Sequence, residues 1–193
     1  MSLSLSKGNS LSLSKEEPGL TNVRVGLGWD ARATAGEQFD LDASALLIGA
    51  NGKVRSSDDF VFYNQTASAN GSVKHEGDNR TGSGDGDDEV ILISLNDVED
   101  DIERIVIAVS IDQADTRGQT FGQVRNAYVR TINNDNDHEI ARYDLSEDSG
   151  SETSMVFAEV YKNGGGWKFK AVGQGYTTGL RGIAEDFGVV GLS

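Results

Sequence analysis

Residues 155–172 read MVFAEVYKNGGGWKFKAV, a pattern typical of a β-hairpin. Two runs rich in β-branched and aromatic residues, 155–161 and 167–172, flank the sequence NGGG at 163–166. Consecutive glycines tolerate the positive backbone dihedral angles that a tight turn between antiparallel strands requires. The segment therefore predicts two adjacent strands and indicates a fold built on β-sheet.

The same strand pattern recurs on both sides of this hairpin. Runs of β-branched residues at 90–93 and 105–109 predict buried strands. The hexapeptide SLSLSK occurs at 2–7 and again at 10–15, and its alternation predicts two short strands joined by a turn. Further strand candidates lie at 23–29, 46–48, 60–63, 121–132 and 140–145.

Helical signals are few by comparison. Apolar residues at helical spacing predict one short helix over 94–104 and a closing helix over 178–187. Many short strands, 24 glycines and a single proline favour a mainly β fold, a two-sheet β-sandwich with one or two short peripheral helices. No linker interrupts the pattern, so we expect one domain over residues 1–193.

The composition excludes several classes of function. The formal net charge is −14, from 31 acidic and 17 basic residues, which argues against binding to nucleic acid or to anionic lipid. The absence of cysteine excludes disulfides, thiolate metal sites and cysteine nucleophiles. Neither a secretory signal nor a membrane-spanning apolar run is evident. We expect a soluble cytoplasmic protein that does not insert into a membrane.

The first of two acidic segments is FDLD at 39–42, which follows GWD at 28–30. In a strand, Asp40 and Asp42 project from the same face. Two carboxylates placed side by side repel each other unless a cation, a proton or a base lies between them. Asp30 is expected to join them from a neighbouring strand end.

The second acidic segment, GDNRTGSGDGDDE at 77–89, places five carboxylates among glycines. Glycine lets the backbone turn its carbonyl oxygens inward as further ligands. Many oxygen donors without cysteine favour Ca²⁺ over zinc or copper, and over Mg²⁺, which tends to keep its waters. The spacing is not that of an EF-hand, because Arg80 and Gly82 occupy positions that need side-chain oxygens. The two segments predict calcium binding.

Other interpretations of these residues stay open. An acidic, glycine-rich loop is also typical of solvated surface without metal. Paired carboxylates perform acid–base chemistry in glycosidases, so a carboxylate-dependent hydrolase is one alternative. Against it, five carboxylates in one flexible loop are hard to tune as one acid and one base. A calcium-dependent carbohydrate-binding sandwich is another alternative. We favour a non-catalytic binding module over an enzyme.

Several motifs together resemble one known family. They are GWD at 28–30, FDLDASA at 39–45, FYN at 62–64, HxGDN at 75–79, TGxGDGDDE at 81–89 and GQG at 173–175. In this order they are similar to the tellurium resistance TerD family, and they extend through nearly the whole chain. The resemblance implies a calcium-binding β-sandwich with a role in bacterial tellurite resistance and stress response. It also implies protein partners, including an integral membrane protein of the same resistance system, in a cytoplasmic complex peripheral to the inner membrane.

The resemblance also supplies the candidate metal ligands. We expect two Ca²⁺ ions, because this many carboxylates are best used by two adjacent ions, and which ligands share an ion stays open. Asp59 is a less certain further candidate. The candidate ligands are Asp30, Asp40, Asp42, Asn64, Asp78, Asp85, Asp87, Asp88 and Glu89.

Overall fold

The structure is a computed structural model that describes residues 1–76, 82, 86–145 and 150–192. In chain order the strands are β1 Leu3–Ser4, β2 Ser10–Ser12, β3 Asn22–Gly28, β4 Leu41–Gly49, β5 Phe60–Val61, β6 Val73–Glu76, β7 Glu89–Ser94, β8 Ile102–Ile111, β9 Tyr128–Asn133, β10 His138–Asp144, β11 Ser154–Asn163 and β12 Gly166–Tyr176. The α-helices are α1 Leu13–Glu16, α2 Ala114–Arg117 and α3 Gly179–Asp186.

The strands form two six-stranded sheets that pack face to face, which confirms the predicted two-sheet β-sandwich. Sheet A has the strand order β1-β10-β9-β3-β7-β6, and sheet B has the order β2-β12-β11-β8-β4-β5. Apolar side chains from both sheets, including Val25, Ile91, Ile107, Phe157 and Phe169, form one buried cluster between them. Because strand side chains alternate between the two faces, each sheet also has an outer face, turned away from the other sheet.

The hairpin predicted at 155–172 is confirmed as β11 and β12, antiparallel neighbours in sheet B. Asn163 pairs with Gly166, so Gly164 and Gly165 form a two-residue turn. Both glycines have positive φ, 58° and 79°, which is the geometry that matches the twist of the flanking strands. The strands predicted at 90–93, 105–109 and 140–145 are confirmed as β7, β8 and β10.

The closing helix predicted over 178–187 is confirmed as α3, which covers the outer face of sheet B. Its Ile183 and Ala184 are buried in a second apolar cluster with Leu46, Val106 and Val156 of that sheet. Sheet B is therefore buried on both faces at its centre. Among the described residues, no helix is long and apolar enough to cross a membrane.

The predicted helix over 94–104 is wrong. Only a 3₁₀ turn, Leu95–Asp97, forms there, and β8 already begins at Ile102. Val98 and Ile102, whose spacing suggested one face of a helix, are both buried. Pairing of β8 with β4 and β11 competes with helix formation, and the long sheet contacts prevail over the local spacing.

The two copies of SLSLSK do not pair with each other, so the predicted hairpin between them is wrong. In the first copy β1 lies parallel to β10 at the edge of sheet A. In the second copy β2 lies antiparallel to β12 at the edge of sheet B. The N-terminal segment therefore passes from one sheet to the other and occupies one edge of each.

A polar contact fixes the end of this segment to the β9–β10 hairpin. The Glu17 carboxylate accepts a hydrogen bond of 3.0 Å from Asn133 Nδ2 and is also hydrogen-bonded to His138 Nδ1. These contacts hold the pKa of Glu17 below its ordinary value of 4.5, and the hydrogen bond from Asn133 has the largest effect. A carboxyl group whose pKa is lower in the folded state contributes stability above its unfolded pKa and loses it as the pH falls.

We predict that Glu17→Gln reduces the free energy of unfolding near neutral pH and that this deficit shrinks as the pH falls below 4.5. The glutamine cannot ionise, so its contribution does not change with pH in that range. Urea unfolding of both proteins at a series of pH values measures the difference. A deficit that stays constant from about pH 6 to about pH 3 would contradict the assigned contact.

Candidate metal-binding site

One end of the sandwich brings the two acidic segments together. Asp42 lies at the start of β4, Glu89 begins β7 in the other sheet, and Asp88 directly precedes it. The Ala43 N–H donates a hydrogen bond of 3.4 Å to Glu89 Oε2, so the acidic end of β7 reaches across to β4. Segments that are 46 residues apart in the sequence thus meet at one place.

Trp29 joins the same two segments through both of its N–H groups. Its backbone N–H donates to Asp88 Oδ2 at 3.0 Å, and its indole N–H donates to the Phe39 carbonyl at 3.2 Å. The Trp29 side chain is buried. A Cβ on Gly82 would lie 2.3 Å from the indole nitrogen, and Gly82 has φ of +66°. Gly82, which belongs to the second acidic segment, therefore lies against Trp29 at a position where only glycine fits.

Three of the candidate carboxylates at this end are buried: Asp40, Asp88 and Glu89. Glu89 is fully buried, and its Oε2 lies 2.9 Å from His75 Nε2. Removing carboxylates from water is costly unless donors or cations replace the lost hydration. The site therefore has the electrostatic character that a bound cation would stabilise, and His75 is a partner of Glu89 that is not among the predicted site residues.

Asp40 and Asp42 lie on the same side of sheet B. The Asp40 carbonyl accepts a hydrogen bond of 2.8 Å from the Asp112 N–H, so the extended backbone of β4 continues through Asp40. Asp42 pairs with Ser110 of β8. Ser44, two residues further along the same side, has a buried hydroxyl with no hydrogen-bond partner in the described part of the chain. This is the outer side of sheet B, on which Leu46 also lies, and it presents several oxygen donors in a row.

Asp87 points elsewhere, onto the outer face of sheet A. Its Oδ1 accepts hydrogen bonds from Arg130 Nε at 2.7 Å and from the Tyr128 hydroxyl at 3.0 Å. It lies over Gly26, where a Cβ would come within 2.1 Å of the carboxylate. Burial, together with the neighbouring Asp87 charge, raises the pKa of Tyr128 to about 12. Asp87 thus anchors the second acidic segment to sheet A.

The remaining described candidates are more dispersed. Asp30 is exposed and accepts a hydrogen bond of 2.6 Å from Asn126 Nδ2. Asn64 is exposed in a turn, and no hydrogen bond links it to the acidic segments within the described residues. Asp59 is buried in an ion pair of 2.8 Å with Arg55.

The candidates Asp78 and Asp85 lie outside the described residues. Within residues 1–76, 82, 86–145 and 150–192, no group of three or more histidine, aspartate or glutamate side chains is arranged to hold a metal ion. The donor types at this end of the sandwich, carboxylates with a hydroxyl, nevertheless fit Ca²⁺, which takes six to eight oxygen ligands.

Comparison with known proteins places this geometry in a family. The TerD domain profile matches residues 1–187. The tellurium resistance protein TerD of Alcaligenes sp is 56% identical over 98% of both chains. General stress protein 16U of Bacillus subtilis (strain 168) is 48% identical over 98% of both chains. A crystal structure of a TerD homologue from Streptomyces coelicolor A3(2) aligns with a TM-score of 0.71 at 25% identity, covering 86% of this chain and 96% of the other.

We predict that Asp87→Asn lowers the free energy of unfolding by about 1.5–3 kcal/mol, because it removes the charge from a part-buried hydrogen bond to Arg130. The matched control is Asp137→Asn. Asp137 also pairs with an arginine, Arg24, but its side chain is 78% exposed, so we expect a loss of about 1 kcal/mol or less. Urea unfolding measures both values. Equal losses for the two variants would contradict the buried position of Asp87.

Proposed function

The chain belongs to the TerD family of tellurium resistance and stress proteins, and from that premise we propose that it is a calcium-binding, non-catalytic module of such a system. The main support is the meeting of two acidic segments at one end of the sandwich, where Trp29 contacts both. Asp40 and Asp88, buried in this region, directly precede β4 of sheet B and β7 of sheet A. An ion held between them would connect the two sheets.

The chemistry of the donors favours calcium. Aspartate, glutamate and hydroxyl oxygens are hard ligands, and the chain has no cysteine to offer a softer metal. His75 lies close by, but its Nε2 already contacts Glu89. In this proposal Asp40, Asp42 and Asp88 supply ligands from the sandwich and are divided between the two ions, and Asp78 and Asp85 supply further ligands from the loop. The bound ions would supply positive charge between these carboxylates.

Charge balance supports two ions. Two divalent cations would bring the formal net charge from −14 to about −10. The added positive charge would lie at the acidic end of the sandwich, where it reduces repulsion between the carboxylates. An ion that binds only the folded state stabilises it by about 2.7 kcal/mol per site at a hundredfold excess over the dissociation constant. Calcium would therefore hold the loop against the sandwich and complete a surface for a partner.

We also propose that other proteins bind this surface. The names of the relatives, tellurium resistance protein and general stress protein, support a place in a bacterial resistance and stress system. The family resemblance supports a cytoplasmic complex that includes an integral membrane protein of the same system. Affinity capture from a tellurite-exposed culture, with calcium or with a chelator in the buffer, tests this proposal. We expect one membrane protein to be captured repeatedly in the calcium buffer and not in the chelator buffer.

We predict that chelator-treated protein binds about two Ca²⁺ ions per chain at micromolar or tighter affinity, with much weaker binding of Mg²⁺. Asp88→Asn keeps an oxygen that can accept the Trp29 N–H but removes the negative charge. We therefore expect it to weaken calcium binding about tenfold or more without unfolding the protein. Calorimetric titration measures the stoichiometry and the dissociation constants.

Asp87→Asn is the matched control for this titration. It removes the same charge one residue away, at a side chain that contacts Arg130 on the outer face of sheet A. We expect its calcium stoichiometry to match that of the unmodified chain. No heat with calcium, together with no calcium-dependent rise in melting temperature, would reject the proposed function. Loss of binding in Asp87→Asn alone would reject the proposed ligands.

A further inference from the structure

Two arginines differ from all the others in the described part of the chain. Of the nine arginines described there, seven form an ion pair with a carboxylate. Arg32 and Arg125 form none with any described residue. In a chain with 31 acidic residues, two arginines that have no acidic partner among the described residues need an explanation.

Both of these arginines line the same cavity. It has a volume of about 520 Å³ and lies between the loop that follows β3 and the segment that precedes β9. Ala31, Ala33 and Phe39 form an apolar wall, and polar side chains such as that of Thr34 also line the cavity. The volume is within the range of cavities that hold small molecules, roughly 300–1,000 Å³.

The guanidinium of Arg32 is fixed in position by neutral groups. Its Nε donates to Thr34 Oγ1 at 3.2 Å, and its Nη1 donates to the Glu37 carbonyl at 3.3 Å. Its planar group also lies over the Phe39 ring, 5.3 Å from the centroid. These contacts orient the side chain without cancelling its charge. The loop thus presents an oriented cation to the cavity.

Arg125 provides the second cation, on the adjoining segment. Its backbone carbonyl accepts a hydrogen bond of 3.0 Å from the Asp30 N–H, which ties the two sides of the cavity together. Its guanidinium makes no hydrogen bond with any described residue. Asp30 also lines the cavity, and its carboxylate, which accepts a hydrogen bond of 2.6 Å from the neutral Asn126 side chain, keeps its negative charge, so the two arginines leave the cavity with one net positive charge. Two like charges sharing one cavity repel unless an anion lies between them.

We propose that this cavity binds a small phosphate monoester with an apolar or planar body. A phosphate monoester carries close to two negative charges at neutral pH, which matches two guanidinium groups, and the planar fork of arginine suits phosphate oxygens. The wall formed by Ala31, Ala33 and Phe39 would contact the body of the ligand. The cavity lies beside the proposed calcium site, because Phe39 directly precedes Asp40, but its lining includes none of Asp40, Asp42 and Asp88, so we expect the ester to bind with or without calcium.

Phenyl phosphate is the probe, titrated into the full chain by calorimetry, once with a chelator and once with calcium. We expect saturable binding in both buffers. Inorganic phosphate should bind about tenfold more weakly because it lacks the apolar ring, and benzyl alcohol should not bind because it lacks the charge. Equal affinity for inorganic phosphate would overturn the ester assignment in favour of a free ion.

Arg125→Gln is the test variant, because the exposed Arg125 side chain makes no described contact that folding requires. We expect it to weaken phenyl phosphate binding about tenfold or more. Arg181→Gln is the matched control: it removes the same charge from an exposed side chain of α3 and should leave the affinity unchanged. No binding by the unmodified chain, or equal losses in the two variants, would overturn the proposal. A failure here with intact calcium binding would leave the proposed function standing.

Discussion

The acidic end of this sandwich depends on the two N–H groups of Trp29. The backbone N–H holds the Asp88 carboxylate, and the indole N–H holds the Phe39 carbonyl next to Asp40. Because the residue is buried, these hydrogen bonds are protected from competition with water. Two carboxylate-bearing segments that would otherwise repel are thereby fixed against one side chain. Gly82 of the second acidic segment lies against the same indole ring.

Much of the fold could be predicted because its signals are local. The hairpin at 155–172 has its turn and both strands within one window, and α3 keeps helical spacing throughout. The errors arose where distant partners decide the outcome. The segment 94–104 has a plausible helical spacing, but β8 is stabilised by strands that are far away in sequence. The two SLSLSK copies are identical, yet one pairs with β10 and the other with β12.

The candidate site shows the same division. The number and type of the carboxylates could be read from the sequence, since calcium chemistry needs only oxygen donors in quantity. The directions in which these carboxylates point could not be predicted from the sequence. Asp87, Asp88 and Glu89 are consecutive, but they contact Arg130, Trp29 and His75 respectively. The regular alternation of β7 begins only at Glu89, so it does not set the directions of the residues before it.

The charges around the site also depend on pairings that the sequence does not reveal. Arg130 and Arg125 are five residues apart, but only Arg130 meets a carboxylate in the described part of the chain. A formal charge of −14 therefore does not describe a uniformly negative surface. The molecule has a buried acidic end and, beside it, a cavity lined by two arginines. The molecule can thus present sites of opposite sign within one domain.

The location of the metal is tested most directly by terbium luminescence. Tb³⁺ takes the same hard oxygen ligands as Ca²⁺, and a nearby tryptophan sensitises its emission only at short range. The chain has two tryptophans, so Trp167→Phe leaves Trp29 as the sole donor of this type. We predict strong sensitised emission from this variant that added calcium displaces. Absence of that emission, while terbium still binds, would show that the ion lies away from Trp29 and would contradict the account.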